Sequence, residues 1–301
     1  MFSRSLKNVL TGALVLCVLS VFSPPARATG FSLGDADNYV VLYTGAGKNS
    51  LSMNNETVNG NVGIGYPAGS NPQVQLNGPL TVNGNFDFAG PINFNNGGGV
   101  TVNGSSYSGV TSVQTDLSNL QSLSSTLGAE TGTNLTVNLN NDQSQTINAS
   151  AGTLDANGNR VFNVSSFSFG NGATLTINGN GLGNNVVLNF AANNPQFGGT
   201  IVLTGGLTSD EVLFNIPGSN SSLRINTNGA IETGTFLDPN GTISMNHSVL
   251  DGRIFGGDSS NMQIVSGAYI NDPAVPEPST VLLIGSGLVG LAAFRKRFKK
   301  A

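Results

Sequence analysis

Four near copies of one unit, Thr57-Val58-Asn59-Gly60, Thr81-Val82-Asn83-Gly84, Thr101-Val102-Asn103-Gly104 and Thr176-Ile177-Asn178-Gly179, set the tightest constraint on this chain. The first three Asn recur after 24 and then 20 residues, within the range of internal period that marks stacked-repeat architectures. Each unit puts β-branched residues before a turn pair. Comparable apolar runs follow every 8 to 15 residues, at Val186–Phe190, Ile201–Thr204, Val212–Ile216, Leu223–Asn226, Ile231–Phe236, Thr242–Met245 and Val249–Phe255. Short runs at such spacing read as strands of a sandwich or a solenoid. The solenoid is preferred, because Asn and Gly accept positive φ at tight corners, while stacked coils give inward Val, Ile, Leu and Phe a continuous core and let outward Thr, Ser and Asn form ladders.

One segment departs from this pattern. Between Ser112 and Leu127 the apolar residues Val113, Leu117, Leu120 and Leu127, with Leu123 beside them, follow helical spacing, and Gly128 marks a stop. A lone amphipathic helix must bury its stripe, most simply along the side of the solenoid. The expected fold is therefore all-β, a right-handed-type β-solenoid (β-helix) with one helix packed alongside, plus an N-terminal signal helix and a C-terminal transmembrane helix.

Composition sharpens this. Gly and Asn number 41 and 40 of 301 residues, only 9 % of positions are charged, and 38 % are apolar, enough to build a core. An Asn/Gly chain without a fold is the competing reading, and the repeated β-branched triplets count against it. The formal charge of -4 is unevenly spread. All 16 acids lie between Asp35 and Glu277, against four bases there (Lys48, Arg160, Arg224, Arg253), a net -12. An acidic body excludes nucleic acid as a partner, since phosphate binding needs clustered Lys and Arg.

The remaining bases sit at the two ends, which read as addresses. Residues 1–28 have the form of a secretory signal: Arg4 and Lys7, an apolar stretch from Val9 to Phe22, Pro24-Pro25, and the small-residue site Ala26-Arg27-Ala28, with cleavage by signal peptidase expected after Ala28. Cys17 should leave with it, so no disulfide is expected in the mature chain. At the other end come Val275-Pro276-Glu277-Pro278-Ser279, an apolar run over Thr280–Phe294, and the basic cluster Arg295, Lys296, Arg297, Lys299, Lys300. The basic tail is expected to stay cytoplasmic, with everything before Pro276 across the membrane. Three segments follow: the signal peptide (1–28), the solenoid domain (29–271) and a sorting tail (272–301), with its motif at 275–279, a membrane helix at about 280–294 and a basic anchor at 295–300.

The tail resembles the PEP-CTERM sorting signal of environmental bacteria (ice-binding protein C-terminal domain type), on Pro276, Glu277 and Pro278, the apolar run and the basic cluster in that order. This resemblance implies a membrane-embedded exosortase that recognises the tail and cuts near the motif; an ordinary tail anchor with a fortuitous VPEPS is the alternative. A second resemblance covers most of residues 31–270. The opening Leu33-Gly34-Asp35-Ala36-Asp37-Asn38-Tyr39-Val40-Val41-Leu42, the single mid-chain helix, the stretch Gly152–Phe162, Asp210–Ile216, and the late segments Gly234–Ile243 and Leu250–Gly257 are similar to ice-binding-like adhesive β-solenoid domains, particularly the choice-of-anchor A branch found with surface anchors. It implies the solenoid fold, and a family containing ice binders, adhesins and matrix proteins.

Side-chain chemistry is sparse: one His, one Cys and no Trp. The close acidic pairs Asp35/Asp37, Asp210/Glu211 and Asp251/Asp258 sit in turn-like contexts, His247 has no sequence partner that defines a base or ligand, and the Asp155-Ala156-Asn157-Gly158-Asn159 stretch fails as a Ca²⁺ loop because its Gly falls too early and the distal Glu is missing. No catalytic residue, metal or cofactor is expected, and a polysaccharide-active enzyme is the least favoured reading. Thr57, Thr81, Thr101 and Thr176 are the candidates for an outward row that could order water on ice. The favoured function is an exported cell-surface or extracellular-matrix adhesive protein associated with extracellular polysaccharide, membrane-held through its tail before processing, with ice binding as the alternative.

Overall fold

The computed structural model describes residues 30–46, 50–191, 194–257 and 261–272. Each coil winds through three short strands on three faces, turned at Gly- and Asn-rich corners. The coil at Tyr39–Tyr43, Ser50–Asn54 and Thr57–Asn59 stacks in parallel on Asn61–Ile64, Gln73–Asn77 and Leu80–Val82. Alternation decides which side chains go in: Ser50-Leu51-Ser52-Met53 and Gln73-Val74-Gln75-Leu76 bury every second residue. The one antiparallel pairing described is Thr153–Leu154 on Arg160–Val161.

The coils do not stack in sequence order. Residues 39–108 run from the middle of the solenoid to one end; the chain then crosses along the side through the helix Ser112–Gly128, restarts at the far end with Thr133–Leu139, and winds back. The last strands close the gap: Val249–Gly256 pairs with Tyr39–Tyr43, Met262–Val265 with Ser50–Asn54, and Tyr269–Asn271 with Thr57–Asn59. The first strand and the last strands of the described chain therefore meet at mid-height.

Inside, one column on the helix-bearing face runs Phe86, Val62, Val41, Ile254, Phe236, Phe214, Leu188, Phe162 in register. Phe214 and Phe236 stack at 4.6 Å between centroids, and Phe197 meets Phe236 edge-on at 5.0 Å. Outside that face a second apolar layer joins Val113, Leu117, Leu120 and Leu127 of the helix to Leu42, Phe255, Leu237, Leu213, Val187 and Val161. The expected helix and its packing role are thus present. One outward row continues Leu42–Phe255–Leu237 into Asn215–Asn189–Asn163, changing from apolar to amide toward the helix C-terminus. There Asn215 Nδ2 donates to the Ser124 carbonyl (2.9 Å) and Asn189 Nδ2 to that of Leu127 (2.7 Å), tying the last turns of the helix to the coils beneath.

Of the two roles expected for Asn, corner and outward ladder, the first three Thr-x-Asn-Gly units take the ladder. Asn59, Asn83 and Asn103 are not among the positive-φ residues; Gly60 is, at +145°. These Asn end a strand or directly follow one, and stack as a ladder. Asn103 Nδ2 donates to Asn83 Oδ1 (2.5 Å), Asn83 to Asn59 (2.7 Å), and Asn59 to Asn271 (2.9 Å) and the Tyr269 hydroxyl (2.8 Å). Stacking wins because coils about 4.8 Å apart bring each amide within reach of the next. Asn55, Asn180, Asn220 and Asn228 do occupy positive φ, as expected of Asn at turns.

The right hand of the winding, the signal helix and the transmembrane helix stay expectations; the two helices fall outside the described residues, among which no helix is long and apolar enough to cross a membrane.

Candidate functional site

The most continuous polar surface lies on the face built by Ser50–Asn54, Gln73–Asn77 and Asn93–Asn96 on one side of the closure and Met262–Val265, Thr242–Asn246, Ser222–Ile225 and Gln196–Phe197 on the other. Its inward residues are Leu, Met, Ile, Val and Phe, except that Asn96 takes the inward register of Leu76 in the last coil. Its outward central row reads Asn95–Gln75–Ser52–Gln263–Ser244–Arg224–Gln196, in register from coil to coil. These seven strands contain no Asp or Glu, and Arg224 is their only charge. In a body with a net -12, this face is therefore locally cationic. Around Arg224 a shallow depression of about 360 Å³ is lined by Ser222, Asn226, Thr242, Ser244 and Gln263. Such a surface offers amide and hydroxyl donors and acceptors at coil spacing, plus one guanidinium fork for a carboxylate.

Sequence reasoning missed this row, whose members span residues 52 to 263. Its signal was nevertheless present: SLSMN, QVQLN, TISMN and SLRIN all alternate apolar with uncharged polar or basic residues.

The expected Thr row is only partly assembled. Thr101, Thr81 and Thr57 align on a second face. The row then passes to Tyr269, Val249 and Ile231, of which Tyr269 is 38 % and Ile231 47 % exposed. Thr176 lies apart in a three-stranded sheet, between Thr146 and Val202.

The acidic pairs serve the fold. Glu211 Oε2 accepts from the Thr208 amide (2.9 Å) in a capping box, while Asp210 pairs with Arg253 Nη1. Arg253, buried against the helix-bearing face, also donates through Nη2 to the Asp37 carbonyl (3.1 Å) and lies 3.6 Å from Asp272 Oδ1. One guanidinium thus clasps the start, middle and end of the described chain. Burial raises the Asp37 carboxyl above its ordinary range, with Arg253 opposing and Asp210 and Asp272 adding to the rise. Asp251 is raised by burial and by Asp210, whereas Asp258 lies outside the described residues. Asp155 spends its carboxylate on its own turn, accepting from the Asn157 and Asn159 amides (2.9 and 2.7 Å) and from Asn159 Nδ2 (2.6 Å). His247 is an exposed turn residue at φ 48°. Among the described residues no cluster of His, Cys, Asp and Glu could hold a metal.

Two carboxyls point into the core. Glu232 takes the inward position next to Leu250, and no hydrogen-bond partner reaches either of its oxygens among the described residues. Burial drives its pKa well above the ordinary value. Glu56 is pushed by burial up to about 8, with the Asn54 backbone partly opposing the shift. The folded protein therefore holds protons that the unfolded chain releases near pH 4.5. Below that pH both acids are protonated folded or unfolded and stability does not change with pH through them; as pH rises toward about 8 the unfolded state gains by ionising and stability falls. Replacing both with Gln should raise unfolding free energy at pH 8 by about 2 kcal/mol or more and flatten the slope. Denaturant titrations at pH 5 and pH 8 check this, and an unchanged slope in the double variant would refute it.

Ala26, Ala28, Pro276, Glu277, Pro278, Arg295, Lys296, Arg297, Lys299 and Lys300 lie outside the described residues.

Parallel three-faced coils, a helix laid on one face and mid-height closure define a β-solenoid of the ice-binding-protein type. The chain belongs to the ice-binding-like adhesive domain family, whose model matches residues 28–266. A PEP-CTERM protein-sorting motif matches residues 274–297, which implies exosortase-dependent export and surface sorting. Among solved structures, the ice-binding protein of the Antarctic ascomycete Antarctomyces psychrotrophicus is similar in fold, with a TM-score of 0.51 at 12 % identity, covering 81 % of this chain and 98 % of that one. The antifreeze ice-binding protein of an Arctic yeast has a TM-score of 0.49 at 15 % identity, over 84 % of this chain and 98 % of its own. No curated protein matches the sequence.

Proposed function

We propose that this chain is a structural, adhesive protein of the cell surface or extracellular matrix, and that its acid-free polar face binds extracellular polysaccharide, carboxylated sugars above all. The carrying observation is the row from Asn95 to Gln196 with Arg224 as its sole charge on an otherwise acidic body. Many weak hydrogen bonds repeated along such a row add up. The position of Asp272 supports outward presentation: it follows Asn271 at the corner between the Thr-bearing and helix-bearing faces, opposite the polar face. Signal peptidase removes residues 1–28 after Ala28; the apolar run 280–294 and the basic anchor Arg295–Lys300 hold the precursor in the inner membrane until an exosortase acts near Pro276-Glu277-Pro278.

Replacing Pro276, Glu277 and Pro278 with Ala is expected to leave the C-terminus unprocessed, adding the uncleaved tail to the mass of the exported protein; an unchanged mature mass would refute the sorting role. Deleting the gene should alter floc, biofilm or surface attachment, and unchanged behaviour in all three would count against adhesion.

Ice binding is the second reading, favoured by the aligned Thr57, Thr81 and Thr101 and by Ser144, Thr174 and Thr200 in register on the same side of the far coils. Against it, Tyr269, Val249 and Ile231 interrupt the row.

A further inference from the structure

The two ends of the solenoid finish differently. At the end that starts with Thr133–Leu139 the core is closed: Val137, Leu139 and Ile147 are 0, 4 and 3 % exposed. At the other end Asn93–Asn96, Val100–Val102 and Ser106–Ser108 form the last coil, and each strand pairs on one side only among the described residues. Phe94, Val100 and Val102 repeat the inward positions of Val74, Leu80 and Val82, which are buried one coil further in. Yet no residue from 91 to 110 is buried, and Phe94 is 48 % exposed with Phe88 at 6.4 Å as its ring neighbour. Solenoids ordinarily finish in a polar cap, and open strand edges are ordinarily guarded by charge, Pro or a bulge. Here no Asp, Glu, Lys or Arg occurs from Phe88 to Thr115, and Pro91 precedes the strands.

We propose that this coil is a self-association surface, on which a second copy of the chain docks end to end so that the two open edges and the two exposed core ends cover each other. Charge selects the partner. Two copies with bodies of net -12 repel one another, and this stretch is where they can meet without like charges facing. A two-fold contact buries the same patch on both copies and leaves no edge over.

Sedimentation of the full chain in density-matched detergent tests this. The wild type should form a dimer that dissociates on dilution. The double variant Asn95→Glu and Thr101→Glu, whose side chains point outward on the edge strands, should weaken association at least tenfold while keeping the wild-type circular dichroism. Thr146→Glu, on the closed end, should leave the dimer intact. A wild type that is monomeric at every concentration, a double variant as dimeric as wild type, or equal disruption by Thr146→Glu would each overturn the proposal.

Discussion

Gly256→Ala should cost the fold about 3 kcal/mol or more, combining a conformation suited to Gly with a clash against fixed backbone. Gly256 has φ +139° and sits at the seam where the returning chain meets the first strand, paired with Tyr43 on one side and Asp238 on the other. A Cβ there would overlap the Asp238 carbonyl oxygen and stand 3.0 Å from Ile243 Cδ1. Its own carbonyl accepts from the Thr44 amide at 3.0 Å, so a shift would open the closure itself. Gly69→Ala separates the two causes, since Gly69 also has positive φ (+78°) but no atom within 4 Å of the added carbon. It should cost about 1 kcal/mol. Equal losses in the two variants, read by denaturant unfolding, would show that the seam is not tightly packed.

The second large effect concerns the helix. Asn215 is fully buried; its Nδ2 donates to the Ser124 carbonyl (2.9 Å) and Asn189 Oδ1 (2.8 Å), and its Oδ1 accepts from Ser124 Oγ (2.5 Å). Leu suits the space, since Leu237 is the next member of the same outward row. Asn215→Leu therefore isolates hydrogen bonding from packing. It strips partners from three buried polar atoms and should cost about 3 kcal/mol, an unpaired buried group being worth about 1–3 kcal/mol. Hydrogen exchange should quicken first over Ser112–Gly128. A loss under about 1 kcal/mol would mean that the apolar stripe alone seats the helix.

Much of the architecture was legible in sequence because it rests on local periodicity. Strand positions from Val186 onward, the helix and its buried stripe follow from spacing within a few residues. What spacing could not supply was register across the closure. The pairing of Tyr39–Tyr43 with Val249–Gly256 joins segments over two hundred residues apart. The polar row depends on that pairing, as does the clasp by Arg253 of Asp210 and the Asp37 carbonyl. Asn has two expected roles in such a chain, corner and outward ladder, and in the Thr-x-Asn-Gly units it takes the ladder. A turn and a side-chain ladder use the same residues, and only the stacking distance between coils decides for the ladder. Glu232 gave no sequence sign of burial, since Ile231-Glu232-Thr233 reads equally well with its carboxylate in water.

The adhesive reading stands or falls on the polar face. Affinity electrophoresis of the full chain through gels containing carboxylated bacterial exopolysaccharide tests it most directly, run beside Arg224→Glu and beside thermal-hysteresis measurements on the same preparations. The wild type should be retarded, Arg224→Glu should bind about tenfold more weakly, equivalent to about 1.4 kcal/mol, and neither should shift the freezing point. Unretarded migration of the wild type together with thermal hysteresis would contradict this account and establish ice binding in its place.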